Sequence, residues 1–467
     1  MSYIPSERVN LSNNVAVLNA IRNSASTYYK DYVPAVVDAS DVKEIGVTIM
    51  SDIQLQNEFL KALINRIGRV NITSKLFQNP LRMFKKGIME FGDTIEDIYV
   101  NLPEAHQYDP AAAESEVFRR EFPDVRAAFY TVNYEKFYKQ TIQRRDLARC
   151  FTATDGIASL VEKIVVAMSS ANQRDEFIVT KYLLAKRILD GYMTYKPVTI
   201  PNGATAKQKA DLLLTEIRTN SNQMEFLNTE RNLAGVENFA LKDDQYIIVS
   251  AASDALFDVN ALAYAFHMDR AELEGHIVRI DSFSNIPDAA ITNLIDSDHV
   301  ISAADKLLLD SVAAVIVDSE FFQIWDVFDD IADDITNPQG LYKNAFLNVS
   351  RIFAVSPFAN NTVIITTTPS VTSITVTPAS TSAAPLLVSA GMSVQLNTVV
   401  AATFASQAVT YTVDEANSDC DAEITSGGLV TVDPDATAGD DLVITVKSVA
   451  DPTVTATVYI KVPTLGS

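Results

Sequence analysis

The chain has 467 residues, of which 59 are acidic and 37 are basic, and its formal net charge is −22. This balance argues against a nucleic-acid-binding surface, because phosphate recognition needs clustered lysine and arginine side chains. The most apolar long stretch, residues 307–317, contains Asp310 and is far shorter than the roughly 20 residues of a membrane-spanning helix. The N-terminal sequence lacks a basic start followed by an apolar block, so we expect no secretory signal. A chain of this length predicts about two to four domains.

The first segment, residues 1–50, is predicted to be an N-terminal arm. It contains a short amphipathic helix that ends in an aromatic patch formed by Tyr28, Tyr29 and Tyr32. A second helix is predicted for residues 51–68, because a serine stands at its start and a glycine closes it.

A projecting hairpin is predicted after this helix. Residues 69–76 and 91–100 have β-type patterns, and the basic sequence NPLRMFKKG, residues 79–87, lies between them. Two strands joined by such a tip would carry three basic side chains on a lever. On an acidic protein, a basic tip is suited to contact a neighbouring copy. On these residues alone, however, an ordinary solvated basic turn is favoured over such a contact. The three basic residues are Arg82, Lys85 and Lys86.

The longest helical pattern runs from Asp155 to Asp190, after a β-type segment at residues 124–143. Thr154 can cap the first turn, and Gly191 supplies the stop. A helix of this span would be about 54 Å long, which suits a wide, flat subunit better than a compact enzyme. The alternative is two ordinary helices broken near Ser169. The apolar stripe consists of Ile157, Val161, Ile164, Met168, Ala171, Ile178, Tyr182, Ala185 and Leu189.

After Pro197 the pattern becomes mixed, with a helix at residues 205–218 and further helices and short buried strands behind it. Two long β-type runs, residues 321–335 and 342–365, are separated by the turn sequence Asn-Pro-Gln-Gly. We expect these runs to return along the long helix and close the main domain. The short strands are predicted at residues 246–250 and 277–280.

The composition changes at Thr366, and from there the chain is rich in Thr, Val, Ala and Ser, with no arginine. About a hundred residues with short, evenly spaced strands are typical of a β-sandwich. Residues 366–370, which include Pro369, are the predicted linker. The strands are predicted at residues 374–376, 394–396, 409–413, 429–432, 442–446 and 454–462.

No catalytic constellation is present in the sequence, so we expect a structural or interaction protein and not an enzyme, without a cofactor. The four histidines stand apart from the cysteines and have no metal-ligand spacing. Cys150 has no local base, which favours a buried structural thiol, and no disulfide with Cys420 is expected. The acidic cluster at residues 326–334 lacks the pattern of a calcium loop, so a solvated or inter-subunit edge is favoured over a cation site.

Several stretches resemble the major capsid protein of small short-tailed phages of the Picovirinae type. They follow in the same order through most of residues 15–365. They are LNAIRNSASTYYKDYVP (18–34), NEFLKALINRIGRV (57–70), NPLRMFKKG and DTIEDIY (within 79–108), FYKQTIQRRDL (137–147), residues 258–283, and NPQGLY through RIFAVSPFANN (337–363).

This resemblance implies an α+β fold of the tailed-phage and herpesvirus capsid type, with a C-terminal all-β domain. The C-terminal part resembles a bacterial Ig-like group 2 domain in VTSITVTP (371–378), LVITVKS (442–448) and ATVYIKV (456–462). The implied divisions are an N-terminal arm with helices (1–69), an extended loop (70–115), a peripheral domain with a spine helix (116–195), an axial domain (196–320), peripheral return strands (321–368) and the Ig-like domain (369–467).

The function that the resemblance implies is assembly of pentamers and hexamers into an icosahedral shell that encloses double-stranded DNA. Scaffold and portal proteins would be partners, and assembly would take place in the host bacterial cytoplasm. The alternative is a bacterial surface or adhesion protein, because Ig-like group 2 domains also occur there. The residues expected at the loop tip, in contact with a neighbouring subunit, are Arg82, Phe84, Lys85, Lys86 and Gly87.

Overall fold

A computed structural model describes residues 14–38, 41–67, 77–89, 92, 94–103, 105–106, 120, 122–151, 167–260, 276–337, 339–340 and 342–464. Within these ranges, no helix combines the length and the apolar character that a membrane crossing requires.

The N-terminal segment is helical and packs on the main core. Ser26 caps the second helix by accepting a hydrogen bond from the N–H of Tyr29. Tyr29, Ile49 and Phe59 are fully buried, so the described part of residues 14–67 packs on the main core, and the assignment of residues 1–50 as an arm stays a prediction. The four helices are α1 (Asn14–Ser24), α2 (Thr27–Tyr32), α3 (Asp41–Ser51) and α4 (Ile53–Ile67).

Four described strands precede the long helix. They are β1 (Lys85–Ile88), β2 (Thr94–Val100), β3 (Val125–Thr131) and β4 (Tyr134–Gln143), and the short helix α5 (Arg144–Cys150) follows. β2 and β3 pair with each other as an antiparallel hairpin, whereas β1 and β4 belong to a larger sheet. The strand predicted at residues 69–76 lies outside the described residues.

Helix α6 (Ala167–Leu189), which we call the spine helix, is continuous through Ser169, so the alternative of two helices broken there is excluded. The part predicted at residues 155–166 lies outside the described residues. Because α6 packs against β4 on one side and against helices on another, it buries polar as well as apolar side chains. The buried polar residues are Asn172, Asp175, Glu176, Thr180 and Lys181.

The next region is built on a five-stranded sheet. Its strands are β5 (Tyr195–Pro197), β6 (Gln245–Ser250), β7 (Ile277–Ile280), β8 (Val312–Asp318) and β11 (Asn361–Ile365), in the order β5-β11-β8-β6-β7. Helix α7 (Ala206–Gln223) begins with a capping box formed by Thr205 and Gln208. The other helices are α8 (Ala251–Asn260), α9 (Asp288–Leu294) and α10 (Ala303–Leu309).

Residues on the two faces of this sheet pack into two different hydrophobic cores. Val315 and Val317 of β8 face the main core, while Ala314 and Ile316 face a second core that contains α7. Since β11 lies between β5 and β8, residues 361–365 belong to this sheet. They lie in a different sheet from residues 342–355, with which the sequence pattern joined them in one run.

Strands β9 (Phe322–Asn337) and β10 (Tyr342–Val355) form a long antiparallel pair, in which Tyr342 lies opposite Asn337 and Val355 opposite Phe322. They complete a sheet of order β1-β9-β10-β4. The two long β-type runs are thus present, and β10 packs against the spine helix as expected.

The C-terminal region is all-β, as predicted. Its separate core includes Leu396, Val430, Ile444 and Val458. The Ig-like identity of this region stays a prediction. Its strands are β12 (Ser370–Thr377), β13 (Leu386–Leu387), β14 (Ser393–Gln395), β15 (Asn397–Thr403), β16 (Val409–Val413), β17 (Ala422–Ile424), β18 (Leu429–Val432), β19 (Asp441–Ser448) and β20 (Thr455–Lys461).

Candidate assembly surface

The basic segment NPLRMFKKG is docked against its own subunit. The Asn79 side chain fixes the start of the segment. Its Nδ2 donates to Glu176 of the spine helix over 2.8 Å, and its Oδ1 accepts from the N–H of Leu81. A single 3-10 turn, Arg82–Phe84, then leads into β1. The Phe84 side chain is 1% exposed, and its ring centroid lies 4.8 Å from that of Phe322.

The two lysines of this segment pair with acidic residues of the same chain. Lys85 Nζ lies 2.6 Å from Asp326 and 3.3 Å from Glu176. Lys86 Nζ lies 2.7 Å from Glu320 and donates to the carbonyl of Ser319. Backbone pairing of β1 with β9 places Lys85 opposite Ile324, and an irregularity in the register falls between Lys85 and Gly87.

Arg351 is at the centre of this buried ionic cluster. Its side chain is 1% exposed and lies 2.7 Å from Asp326, 3.3 Å from Glu176 and 3.6 Å from Asp329. A hydrogen bond of 2.7 Å to Asn172 uses a further guanidinium N–H. Burial raises the pKa of Asp329. The cluster joins β9 and β10 to the spine helix, and Lys85 adds β1 to it.

The predicted hairpin tip is therefore wrong as a structural assignment. Phe84 is buried, and Lys85 and Lys86 are engaged within the subunit, because β1 pairs with β9 in the large sheet. Gly87 lies in β1 with a positive φ of 130°. Of the five predicted residues, Arg82 alone is classed as exposed, and its side chain donates to Gln78.

One member of the acidic cluster differs from its prediction, while Asp329 and Asp330 are exposed. Asp326 is buried in ion pairs with Arg351 and Lys85, so it is not part of a solvated edge. Among the described residues, no group of three or more His, Cys, Asp or Glu side chains is arranged to hold a metal ion. Cys150 is buried and unbonded to Cys420, and burial raises its pKa to about 12. A thiol held in its protonated form is a poor nucleophile, which agrees with the predicted structural role.

A second candidate contact surface is the hairpin of β2 and β3, which form a separate two-stranded sheet. Ile98 pairs with Ala127, and Val100 with Val125, in an uninterrupted antiparallel register. One face of the hairpin lies on its own subunit, where the ring of Tyr99 stacks on Phe358 with 5.7 Å between centroids.

Polar contacts fix the same inner face. The Tyr99 hydroxyl donates to the carbonyl of Glu237, and Arg126 donates to the carbonyl of Ala234. The carboxylate of Asp97 accepts hydrogen bonds from Tyr130 over 3.0 Å and from Ser356 over 2.7 Å. Burial raises the pKa of Tyr130, so its hydroxyl remains a donor at neutral pH. The hairpin is held firmly from one side.

The outer face of this hairpin is exposed and apolar. Val100 is 54% exposed and Phe129 is 64% exposed. Contiguous exposed apolar side chains on an ordered element are typical of a protein interaction surface. We call this set the outer hairpin face, and it consists of Ile98, Val100, Val125, Ala127 and Phe129. The alternation of Val125, Ala127 and Phe129 in the sequence predicts a strand with one apolar face, but it does not indicate that this face is exposed.

A buried lysine connects the spine helix to the five-stranded region. Lys181 is 2% exposed and its Nζ donates to Asp281 over 2.7 Å and to the carbonyl of Asn285 over 2.6 Å. Burial lowers the pKa of Lys181. The spine helix is thus held by Glu176 to the large sheet and by Lys181 to the five-stranded region, and these charged contacts fix the position of the two sheets relative to the helix.

Comparisons with known proteins give a consistent result. A family profile described as the Phi29-like phage major capsid protein matches residues 18–365. The major capsid protein of Bacillus phage GA-1 is 32% identical over 357 residues, which cover 76% of this chain and 70% of that protein. The corresponding protein of Bacillus phage B103 is 32% identical over 370 residues, with coverages of 78% and 76%.

A solved structure shows the same fold. In the capsid structure of Staphylococcus phage Andhra, a chain aligns with a TM-score of 0.50 and 11% identity over 64% of this chain and 88% of that one. The family match ends at residue 365, where the all-β region begins. These findings do not favour the surface or adhesion alternative. The chain belongs to the Phi29-like family of phage major capsid proteins, and it is a structural protein of the virion capsid.

Proposed function

We propose that copies of this chain assemble as pentamers and hexamers into a closed icosahedral shell around double-stranded DNA, and that the outer hairpin face contacts a neighbouring copy. Scaffold and portal proteins are the proposed assembly partners, and the host bacterial cytoplasm is the proposed place of assembly. The role is structural, without catalytic turnover.

The observation that carries this proposal is the exposure of the outer hairpin face. Tyr99 and Arg126 anchor the opposite face to the subunit, so the apolar side chains are held in place before any partner binds. A preorganised surface loses less conformational freedom on association. In a symmetric shell the same contact is repeated many times, so a moderate interface is sufficient.

The net charge of −22 supports the container role. An acidic inner surface repels the phosphate backbone, so packaged DNA can slide without adhering. Repulsion between acidic copies also favours a contact with few charges, and the outer hairpin face is apolar except where Glu96 lies opposite Phe129.

The domain divisions are part of the proposal, with one change. Residues 1–69 are the N-terminal region, 70–115 the loop region, 116–195 and 321–360 the peripheral domain, 196–320 with β11 the axial domain, and 369–467 the Ig-like domain. The inter-subunit contact expected for the basic segment stays a prediction, which we narrow to Arg82, the exposed residue among the five predicted.

The test places two charges on the outer hairpin face. We expect the double variant Val100→Glu, Phe129→Glu to fold as the parent does but to form few shells when co-expressed with scaffold, because the acidic side chains would have to be desolvated in the contact. Sedimentation and electron microscopy would count shells, and circular dichroism would check the fold.

A matched control adds the same two charges elsewhere. Leu387→Glu with Val399→Glu alters side chains of the C-terminal region that are 60% and 64% exposed. This control should assemble normally. Normal shells from the hairpin variant would contradict the proposed contact, while soluble subunits that never form shells, even in the parent with scaffold, would contradict the assembly function itself.

A further inference from the structure

The turn that follows β15 inserts into the main core of the molecule. Phe404 is 2% exposed and belongs to the same cluster of buried side chains as Ile188 of the spine helix. Its ring centroid lies 5.8 Å from that of Tyr195. Ala405 beside it is also buried. A side chain of the C-terminal region thus completes the core of the main part of the chain.

The backbone of this turn has an unusual conformation. Phe404 has a φ of 51°, and among the described residues it is the one non-glycine residue with a positive φ. Such a conformation persists where the surroundings hold it in place. Gln407 closes the turn, because its side chain accepts from the N–H of Val400 over 2.9 Å and donates to the carbonyl of Val400 over 2.8 Å.

The receiving surface is the end of the spine helix, where Gly191 follows the last helical residue, Leu189, by two positions. This glycine has a φ of 80°, and a Cβ built on it would lie 2.7 Å from the carbonyl oxygen of Ala405 and 3.0 Å from Nε2 of Gln407. The two parts of the chain approach too closely for a methyl group.

The same turn lies beside the connection between the two regions. Thr403 pairs with Ser370, the first residue of β12. On the other side of the connection, the N–H and the hydroxyl of Thr366 both donate to the carbonyl of Ser311. The linker and the Phe404 turn therefore form two adjacent attachments, which oppose hinge rotation between the regions.

We propose that residues 403–407 form a clamp that makes the C-terminal region and the end of the spine helix one cooperative unit. The C-terminal region is then held at a fixed orientation and is not a freely tethered module. Displacement of that region would be transmitted directly to the spine helix. This inference is independent of the outer hairpin face.

The first experiment removes the ring. In the full-length chain, Phe404→Ala should increase amide hydrogen exchange roughly tenfold in residues 187–197 as well as in the turn itself, because the helix end loses its cover. The control Leu387→Ala, at an exposed position of the C-terminal region, should leave both segments unchanged. Faster exchange in the turn alone would overturn the clamp.

A second pair of variants leaves the C-terminal region unaltered. Gly191→Ala and Gly203→Ala introduce the same residue at the same φ of 80°, but a Cβ at Gly203 meets nothing within 4 Å. We expect Gly191→Ala to make the linker, residues 366–370, sensitive to proteinase K, whereas Gly203→Ala should resist as the parent does. Equal resistance of both variants would overturn the proposal, as would rapid cleavage of the parent.

Discussion

The guanidinium of Arg351 and the carboxylate of Glu176 lie 3.3 Å apart in the interior, where they join strand β10 to the middle of the spine helix. Asp326 and Asn172 use further N–H groups of the same guanidinium. A buried charge is tolerated when its hydrogen-bonding groups are satisfied. The cluster therefore fixes the position of the spine helix on the large sheet.

Removal of this guanidinium should destabilise the subunit strongly. Arg351→Ala removes the guanidinium from three carboxylates and leaves Lys85 as the remaining cation beside Asp326 and Glu176, so we expect a loss of about 3–5 kcal/mol in the free energy of unfolding. Urea titration would measure the change. The control is Arg279→Ala, which breaks a more exposed pair with Asp254 and should cost less than about 1 kcal/mol. Equal losses for both variants would show that the cluster contributes no more than a surface pair.

Charge reversal should have different effects on stability at Lys85, which is engaged in ion pairs, and at Arg82, which is exposed. Lys85→Glu would bring a fourth carboxylate close to Asp326 and Glu176, so we expect loss of soluble, folded subunit. Arg82→Glu changes an exposed side chain and should leave the melting temperature within a few degrees of the parent value. Thermal unfolding followed by circular dichroism distinguishes them. A stable, folded Lys85→Glu subunit would argue that β1 is not docked on β9.

Alkaline pH should weaken the fold through Cys150. Its pKa is raised from 9.0 to about 12 by burial, so above pH 9 the unfolded thiol ionises while the folded thiol keeps its proton. Ionisation lowers the free energy of the unfolded state alone, so this contribution to stability falls by about 1.4 kcal/mol per pH unit until the folded thiol also ionises.

The comparison with Cys150→Ala isolates this effect. The variant is expected to be less stable at pH 8 but to lose stability less steeply between pH 9 and pH 10.5, because it has no thiol to ionise. Some pH dependence remains, since buried tyrosines such as Tyr29 contribute equally in both proteins. Urea titrations at a series of pH values measure both slopes. Identical slopes would mean that the thiol is accessible to solvent.

Local periodicity predicted the spine helix and the pair β9 and β10, since each pattern runs through many consecutive residues. The basic segment was misplaced for the opposite reason. Its lysine pairs with Glu176, 91 positions away, and the partner strand β9 is more distant still. The sequence NPLRMFKKG has the composition of a turn, so no local signal indicates that Phe84 is buried and that Lys85 completes an ionic cluster.

The outer hairpin face illustrates a second limit. Both faces of β2 carry apolar or aromatic residues, so alternation does not indicate which face lies on the subunit. The choice is made by Tyr99 and Arg126, whose partners at Glu237 and Ala234 are more than a hundred positions away. The clamp at Phe404 was missed for the same reason, because its receiving surface is formed by a different part of the chain.

Gly46 provides a test in which the sign of the effect is opposite to the usual one. Replacement of a glycine by alanine inside a helix ordinarily stabilises a protein by about 0.5–1 kcal/mol. In α3, however, the new Cβ would lie 2.5 Å from Cβ and 2.6 Å from Cγ of Phe151. Phe151 Cβ is fixed to the backbone and has no rotamer that avoids the collision. Overpacking of this kind costs about 1–3 kcal/mol, so we expect Gly46→Ala to destabilise the subunit.

The matched control for this variant is Gly427→Ala, where the nearest atom to the new Cβ is Thr425 Oγ1 at 3.9 Å. With ordinary contact distance available, this change should alter stability by no more than about 0.5 kcal/mol. Urea titration of both variants gives the comparison. If Gly46→Ala were more stable than the parent, α3 and Phe151 would have to lie farther apart, and the packing of the N-terminal helices on the main core would be looser than the burial of Ile49 and Phe59 indicates.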